Sequence, residues 1–359
     1  MKTNIFISAG DISGDLHAAN LMRAMKSISK DVCITSIGGR ELKEVSDVFI
    51  EDIASLNAFG FFPVKQLAKL KQVFKRTVQC WKENKPDKVI LVDYYGFNIH
   101  LAQAAFKQNI PVYYYISPQV WASRPGRIKK LAKFVKKMFV ILPFEEKLYK
   151  DAGVDAVFVG HPLIDIVPIA HHSAKFKETQ KPIIGFFPGS RQHIVERHMR
   201  ILEKVKDIIK GTLDAEFKIF GVKGIDYNNT DMPIIYEDTY DERKKLALAV
   251  TVSGTVSLES ALLGVPMVVF YKLSKFNYMI AKMVANIKYI TMVNILEKEE
   301  VVPELIQEKA TPENIAKTAI DLLKNKEKLE YLRKKLASFR SQLGQPFVAL
   351  RTAKLILND

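Results

Sequence analysis

From its first residues the chain alternates short apolar runs with stretches of helical periodicity, and it does so twice. Lys2–Ser8 reads as a strand, Ala9–Asp15 as a glycine-bearing turn, and Leu16–Lys26 as a helix with Leu16, Ala19, Met22 and Met25 on one face. Further apolar runs follow at Val32–Ile37, Lys88–Val92, Val112–Ile116, Met138–Leu142 and Ala156–Val159. Parallel neighbours need a long crossover rather than a hairpin, so this alternation implies a parallel sheet covered on both faces. After Gly160-His161-Pro162 the sequence turns polar over His171–Gln180, then the pattern restarts at Pro182-Ile183-Ile184-Gly185-Phe186-Phe187. Later strands are expected near Glu216–Phe220, Ile234–Tyr236, Leu246–Val252 and Met267–Tyr271. The expected architecture is α/β: two doubly wound domains, residues 1–165 and 166–343, facing each other across a cleft. A final helix, residues 344–359, follows the break at Gly344-Gln345-Pro346. A chain of 359 residues, 48% hydrophobic, has material for two such cores.

The second domain carries the sharpest local pattern. Ser253-Gly254-Thr255-Val256-Ser257-Leu258-Glu259 reads as strand, tight turn and helix. Gly254 lets the backbone turn close to a ligand, and a helix starting about Val256 offers N–H groups and a positive dipole end to a diphosphate. Glu259 lies four residues after Thr255, one too many for a capping box. Two roles stay open for it: accepting two ribose hydroxyls, or complementing the helix dipole. Gly189-Ser190-Arg191 ends the first strand of the same domain, so Arg191 is placed to neutralise the same diphosphate. Alone, an arginine at a turn is a solvated charge.

In the first domain, Asp93 ends the run Ile90-Leu91-Val92 where a strand gives way to its loop. A carboxylate there suits a general base toward a sugar hydroxyl; the ordinary alternative is a turn or helix cap. Gly10-Asp11-Ile12-Ser13-Gly14-Asp15 forms a second glycine turn but lacks a dinucleotide fingerprint. His17, His100, His161 and His198 read as solvated or loop histidines, with His161 notable for its place between the domains.

Net charge is +15 and it is concentrated: residues 59–137 hold 16 Lys or Arg against Glu83, Asp87 and Asp93. Such a patch seeks a polyanion. Phe61, Phe62, Val64, Leu67, Leu70 and Phe74 alternate there with lysines, as in a helix lying at a membrane interface. A second amphipathic stretch, Arg124–Lys137, reads by default as a domain surface helix. No nucleic-acid motif accompanies the charge, so no nucleic-acid partner is expected. No signal-peptide pattern and no membrane-length apolar run is visible, and Cys33 and Cys80 lack metal-ligand spacing. The expected place is the cytoplasm.

Taken together these motifs resemble the lipid-A-disaccharide synthases. Besides the stretches above, the resemblance rests on Asp93–Asn98, Tyr115–Ala122, Leu142-Pro143-Phe144-Glu145, Gly160-His161-Pro162, Asn294-Ile295-Leu296 and Val302–Gln307, and covers nearly the whole chain. It implies a glycosyltransferase with two Rossmann-like domains of GT-B type, its last helix returning to the first domain, sometimes in an exchanged homodimer. The implied reaction moves diacylglucosamine from UDP-2,3-diacylglucosamine to the 6-hydroxyl of 2,3-diacylglucosamine 1-phosphate, with inversion, without cofactor or metal, at an anionic inner-membrane surface. By resemblance Asp93 is the base, and Gly189, Ser190, Arg191, Ser253, Gly254, Thr255, Glu259, Asn294 and Gln307 hold the UDP donor. Gly10, Asp11, Ser13, Gly14, Asp15 and Asn98 would serve the acceptor side. Asp11, Pro63, Tyr95 and Ile194 depart from the family's usual Glu, Glu, Pro and Glu. The alternatives from the same fold are another UDP-sugar transferase, a UDP-N-acetylglucosamine 2-epimerase, or a non-catalytic membrane- or nucleotide-binding homologue.

Overall fold

The structure is a computed structural model that describes residues 2–57, 64–122, 125–169, 181–227, 230–237, 239–273, 278 and 287–359. Residue contacts divide the chain into two units, residues 1–165 with 343–359, and residues 166–342.

In the first unit the strands are β1 (Thr3–Ala9), β2 (Val32–Gly38), β3 (Val48–Asp52), β4 (Lys88–Val92), β5 (Val112–Tyr115), β6 (Lys137–Val140) and β7 (Ala156–Phe158). They pair in parallel in the order β3-β2-β1-β4-β5-β6-β7. Successive residues of β4 show how both faces are buried. Val89 and Leu91 join a core with Leu70, Val73, Trp81 and Leu101, while Ile90 and Val92 join another with Ala18, Met22, Val348 and Ile356. Burial on both sides makes the strand a continuous apolar run. β3 was not expected, because this edge strand, Val-Phe-Ile-Glu-Asp, is only partly buried and carries no such run.

The helix Val64–Glu83 corrects part of the membrane expectation. Leu70 is buried and Phe74 packs on the same core, beside Val73 and Trp81, so these two side chains face their own sheet. The apolar stripe of a helix looks alike whether a sheet or a lipid covers it. Leu67 is 63% exposed, whereas Phe61, Phe62 and the side chain of Val64 lie outside the described residues, as does Pro63. The helix Ile128–Phe134 packs Leu131 into the core, with Ile128 and Phe134 against it.

The last helix, Val348–Leu357, lies on the first unit against the helix Ile12–Ile28, burying Val348, Ala353 and Ile356. Its start is held by Asp165, whose carboxylate accepts from the N–H groups of Phe347 (2.6 Å) and Ala349 (3.2 Å). At its end Lys88 Nζ donates to the Ile356 carbonyl at 2.5 Å, and Asp359 pairs with Lys136 and Lys137.

The second unit contains β8 (Ile183–Phe187), β9 (Glu216–Phe220), β10 (Ile234–Ile235), β11 (Leu248–Val252), β12 (Met267–Tyr271) and β13 (Glu304–Ile306), parallel in the order β10-β9-β8-β11-β12-β13. Its core joins Phe186, Val250 and Phe270 to Leu202 and Val205 of the helix Gln192–Lys210 and to Ile315 and Ala319 of the helix Pro312–Lys324. In each unit the strand order reverses direction once, between β1 and β4 and between β8 and β11. Ligands of doubly wound sheets bind at the carboxyl ends of the strands at such a point.

Candidate active site

In the first unit, β1 delivers the Gly10–Asp15 turn and β4 delivers Asp93 to neighbouring positions. Asp93 and Tyr94 both take left-handed backbone, φ 42° and 44°. Such geometry costs each non-glycine residue about 1–2 kcal/mol, so neighbours must impose it. Asn98 supplies that restraint: its Nδ2 donates to the carbonyls of Val92 (3.0 Å) and Asp93 (2.9 Å), while its Oδ1 accepts from Ser8 Oγ (2.7 Å). The Tyr114 hydroxyl also donates to the Asp93 carbonyl. Asn98 is fully buried, which corrects its expected place on the acceptor side: it positions Asp93 from below. The Tyr94 ring turns over Gly10, where an added Cβ would lie 2.0 Å from Tyr94 Cδ1, so that position admits only glycine.

Burial pushes the Asp93 carboxyl up to about 7, the charge of Asp11 adds to the rise, the Tyr94 N–H opposes it, and Glu145 contributes a smaller rise. A carboxylate poised there can take a proton near neutral pH. Asp11 itself caps the helix Ile12–Ile28, accepting from the Gly14 N–H at 2.7 Å. Asp15 does not face an acceptor. It is buried, and its oxygens accept from the N–H groups of Gly39 (2.6 Å), Glu41 (2.9 Å) and Leu42 (3.3 Å), tying down the start of the helix Arg40–Val45. Ser13 stays exposed beside it.

Glu145 is a residue of this site to which the sequence assigned no role. It is 1% exposed and accepts from Trp121 Nε1 (2.9 Å) and from the Leu142 N–H (3.2 Å). Burial raises its carboxyl to about 7, against the pull of those donors. With the Tyr149 hydroxyl donating to the Pro118 carbonyl at 2.8 Å, this bond fastens the 117–122 loop to the helix Pro143–Asp151. Tyr95, a departure from the family's pattern, lies under the Arg127 guanidinium at 4.5 Å.

In the second unit, Gly189-Ser190-Arg191 follows β8 and Ser253-Gly254 follows β11, side by side at the switch point. Ser190 and Arg191 are exposed, and the Arg191 side chain makes no hydrogen bond or ion pair with a described residue. Ile194, another departure, is buried beneath the turn. Gly254, at φ 151°, opens the helix Thr255–Leu262 with no side chain capping it, and Gly254 and Thr255 are exposed. That leaves a helix N-terminus of the kind that receives phosphate groups. Glu259, one turn on, accepts from Tyr240 Oη (2.9 Å) and Arg243 Nη1 (2.7 Å).

One expected donor residue, Asn294, is structural instead. Asn294 is fully buried: its Oδ1 accepts from Val301 (2.9 Å) and Val302 (3.0 Å) N–H groups, and its Nδ2 donates to Val302 O and Glu304, both at 2.8 Å. Every bond an amide side chain can make is thereby spent on the scaffold. Gln307, also buried, accepts from the Leu273 N–H at 2.9 Å. Ser253 is only half-buried and donates to Ile290 O at 2.7 Å. The histidines are mostly interior. His17, His161 and His198 are buried, and burial lowers the first two to about 4 and about 3, so they are neutral; His100 alone of the four is exposed. His198 contacts the Pro188 carbonyl at 2.9 Å and so braces the Arg191 turn. Among the described residues no group of three or more His, Cys, Asp or Glu is arranged to hold a metal ion.

The family model for lipid-A-disaccharide synthetase matches residues 5–357. The chain belongs to the lipid-A-disaccharide synthase family. It is 37% identical to the lipid-A-disaccharide synthase of Syntrophus aciditrophicus over 98% of this chain and 97% of the relative, and 35% identical to that of Trichlorobacter lovleyi over 99% and 97%. Membership makes it a glycosyltransferase of lipid A biosynthesis. Among solved structures it is similar to a UDP-GlcNAc 2-epimerase from Neisseria meningitidis bound to UDP-GlcNAc, with TM-score 0.65, 15% identity and complete cover of both chains. A spinosyn forosaminyltransferase matches at TM-score 0.64 and 10% identity, also with complete cover. Likeness at that identity speaks to fold, and the doubly wound α/β expectation is borne out.

Proposed function

We propose that this member of the lipid-A-disaccharide synthase family moves diacylglucosamine from UDP-2,3-diacylglucosamine to the 6-hydroxyl of 2,3-diacylglucosamine 1-phosphate, releasing UDP. Asp93 carries the reading: a carboxylate held in left-handed backbone at the switch point, with its proton affinity raised to about 7. It takes the proton of the acceptor hydroxyl as that oxygen bonds to the anomeric carbon, and the bond from that carbon to the diphosphate oxygen breaks on the opposite side, inverting the centre. Arg191 and the N-terminus of the Thr255–Leu262 helix receive the charge of the departing UDP, so the reaction needs no metal or other cofactor. Glu259 takes the ribose hydroxyls.

Both substrates are acylated and anionic, which places the work at the cytoplasmic face of an anionic membrane. Exposed Leu67 and the outward lysines Lys71 and Lys75 of the Val64–Glu83 helix suit that surface. No helix among the described residues is long and apolar enough to cross a membrane. Exchange of the Val348–Leu357 helix between two copies would give a homodimer.

Purified protein incubated with both diacylglucosamine substrates should release UDP and yield the disaccharide 1-phosphate. No turnover across several acyl lengths defeats the reading. UDP-N-acetylglucosamine alone should give no epimer.

A further inference from the structure

Arg243 lies outside every motif named above. It sits in a short turn, Arg243–Lys245, just before β11, and the sequence there, Arg-Lys-Lys, looks like a solvated charge run. Its side chain is nevertheless only 17% exposed. The guanidinium lies 5.4 Å from the Phe187 ring centroid, 5.8 Å from that of Phe220 and 5.0 Å from that of Tyr240. Phe187 and Phe220, the last residues of β8 and β9, are themselves stacked at 4.7 Å. An arginine packed among rings at the carboxyl edge of the sheet has few positions open to it.

Two acids share it. Nε lies 2.9 Å from Glu237 Oε1 as an ion pair without hydrogen-bond alignment, and Nη1 donates to Glu259 Oε2 at 2.7 Å. Glu237 is pinned in turn by the Glu242 N–H at 2.8 Å. The other oxygen of Glu259 takes the Tyr240 hydroxyl, and Tyr240 is held at φ 64°, a backbone state that a tyrosine rarely adopts. One donor therefore reaches each carboxylate oxygen. An ionised carboxylate accepts at about four sites, so each oxygen keeps capacity for one further donor. Two adjacent ribose hydroxyls need that arrangement: two acceptors at fixed separation, in a plane already set.

We propose that Arg243, with Tyr240, is a positioning residue that locks the Glu259 carboxylate in the plane that reads the ribose 2′- and 3′-hydroxyls of the nucleotide donor. The inference rests on the donor-site reading of Glu259. It makes Arg243 a determinant of ribose selectivity rather than of phosphate affinity, although it is a cation near a diphosphate site.

The test compares binding of UDP and 2′-deoxyuridine 5′-diphosphate by calorimetry in the wild type, Arg243→Met and Tyr240→Phe. The wild type should bind the deoxy form roughly tenfold more weakly, the value of one hydrogen bond to a charged group. In both variants the ratio should contract toward one, and in turnover the donor KM should rise with little change in kcat. Arg243→Lys, which keeps the charge without the fork, should give an intermediate ratio and carries the test if Arg243→Met does not fold. A wild-type ratio in Arg243→Lys and Tyr240→Phe, or an equal loss of both ligands with the ratio intact, overturns the proposal. A wild type that does not distinguish the two nucleotides overturns the ribose role of Glu259 itself.

Discussion

The two switch points are built alike and charged differently. Each sets a glycine turn beside the end of a neighbouring strand, Gly10 beside Asp93 in the first unit and Gly189 beside Ser253 in the second. At the first, burial raises the carboxyls of both Asp93 and Glu145, and the charges of Asp11 and Glu145 add to the rise at Asp93, so a proton is held near neutrality. At the second, Arg191 stands exposed and Arg243 balances Glu259, so the acid there is fixed in place. In the proposed reaction the same order of strands about the switch point thus serves proton transfer on one sheet and anion recognition on the other, because the side chains at the strand ends differ.

Asp93→Asn breaks the first half hardest. Turnover, followed as UDP release, should fall by about a thousandfold, within the usual range for losing a general base, while UDP affinity stays unchanged. Stability should move the other way. Folded Asp93 binds its proton more tightly than an unfolded carboxyl of 3.8, so its contribution is complete below about pH 4 and lost as pH rises through about 7. The Asn variant should therefore melt higher than the wild type at pH 8 and no higher at pH 4, on the order of a few kcal/mol apart at pH 8. Arg191→Ala probes the other half, and UDP binding by calorimetry should weaken by roughly tenfold to a hundredfold with no shift in the pH profile of kcat.

Asp11→Asn sharpens the contrast by removing one negative neighbour. The acidic limb of the kcat profile, set where Asp93 loses its proton, should move to lower pH. Trp121→Phe should act on stability, with a loss of about 1–3 kcal/mol in urea unfolding, since the buried Glu145 carboxyl loses its indole donor.

How much of this was legible beforehand depended on whether a residue's role is local. Gly10, Asp93 and Gly254 announce themselves because a glycine or acid directly after an apolar run marks a strand end. β4 and β5 were readable because burial on both faces leaves a run of mostly apolar and aromatic residues, and β3 was hidden because an edge strand need not be apolar. Leu70 and Phe74 misled, since periodicity gives a helix its inner face without saying what lies against it. Asn98 and Asn294 are polar residues near a site whose partners are backbone groups, a use that spacing does not reveal. Arg243 was hidden for a related reason: its neighbours Phe187, Phe220 and Glu259 come from separate elements.

The return of residues 343–359 to the first unit also sets an order of events during synthesis. Val348, Ala353 and Ile356 close a core that begins at Ile5, yet a ribosome extrudes them after all of residues 166–342. The second unit is contiguous and can fold as it emerges, while the first waits with one side of its sheet only partly covered, by the helix Ile12–Ile28, until the last segment arrives. A message cut short by a few dozen bases would thus spare the half made most recently and damage the half made first.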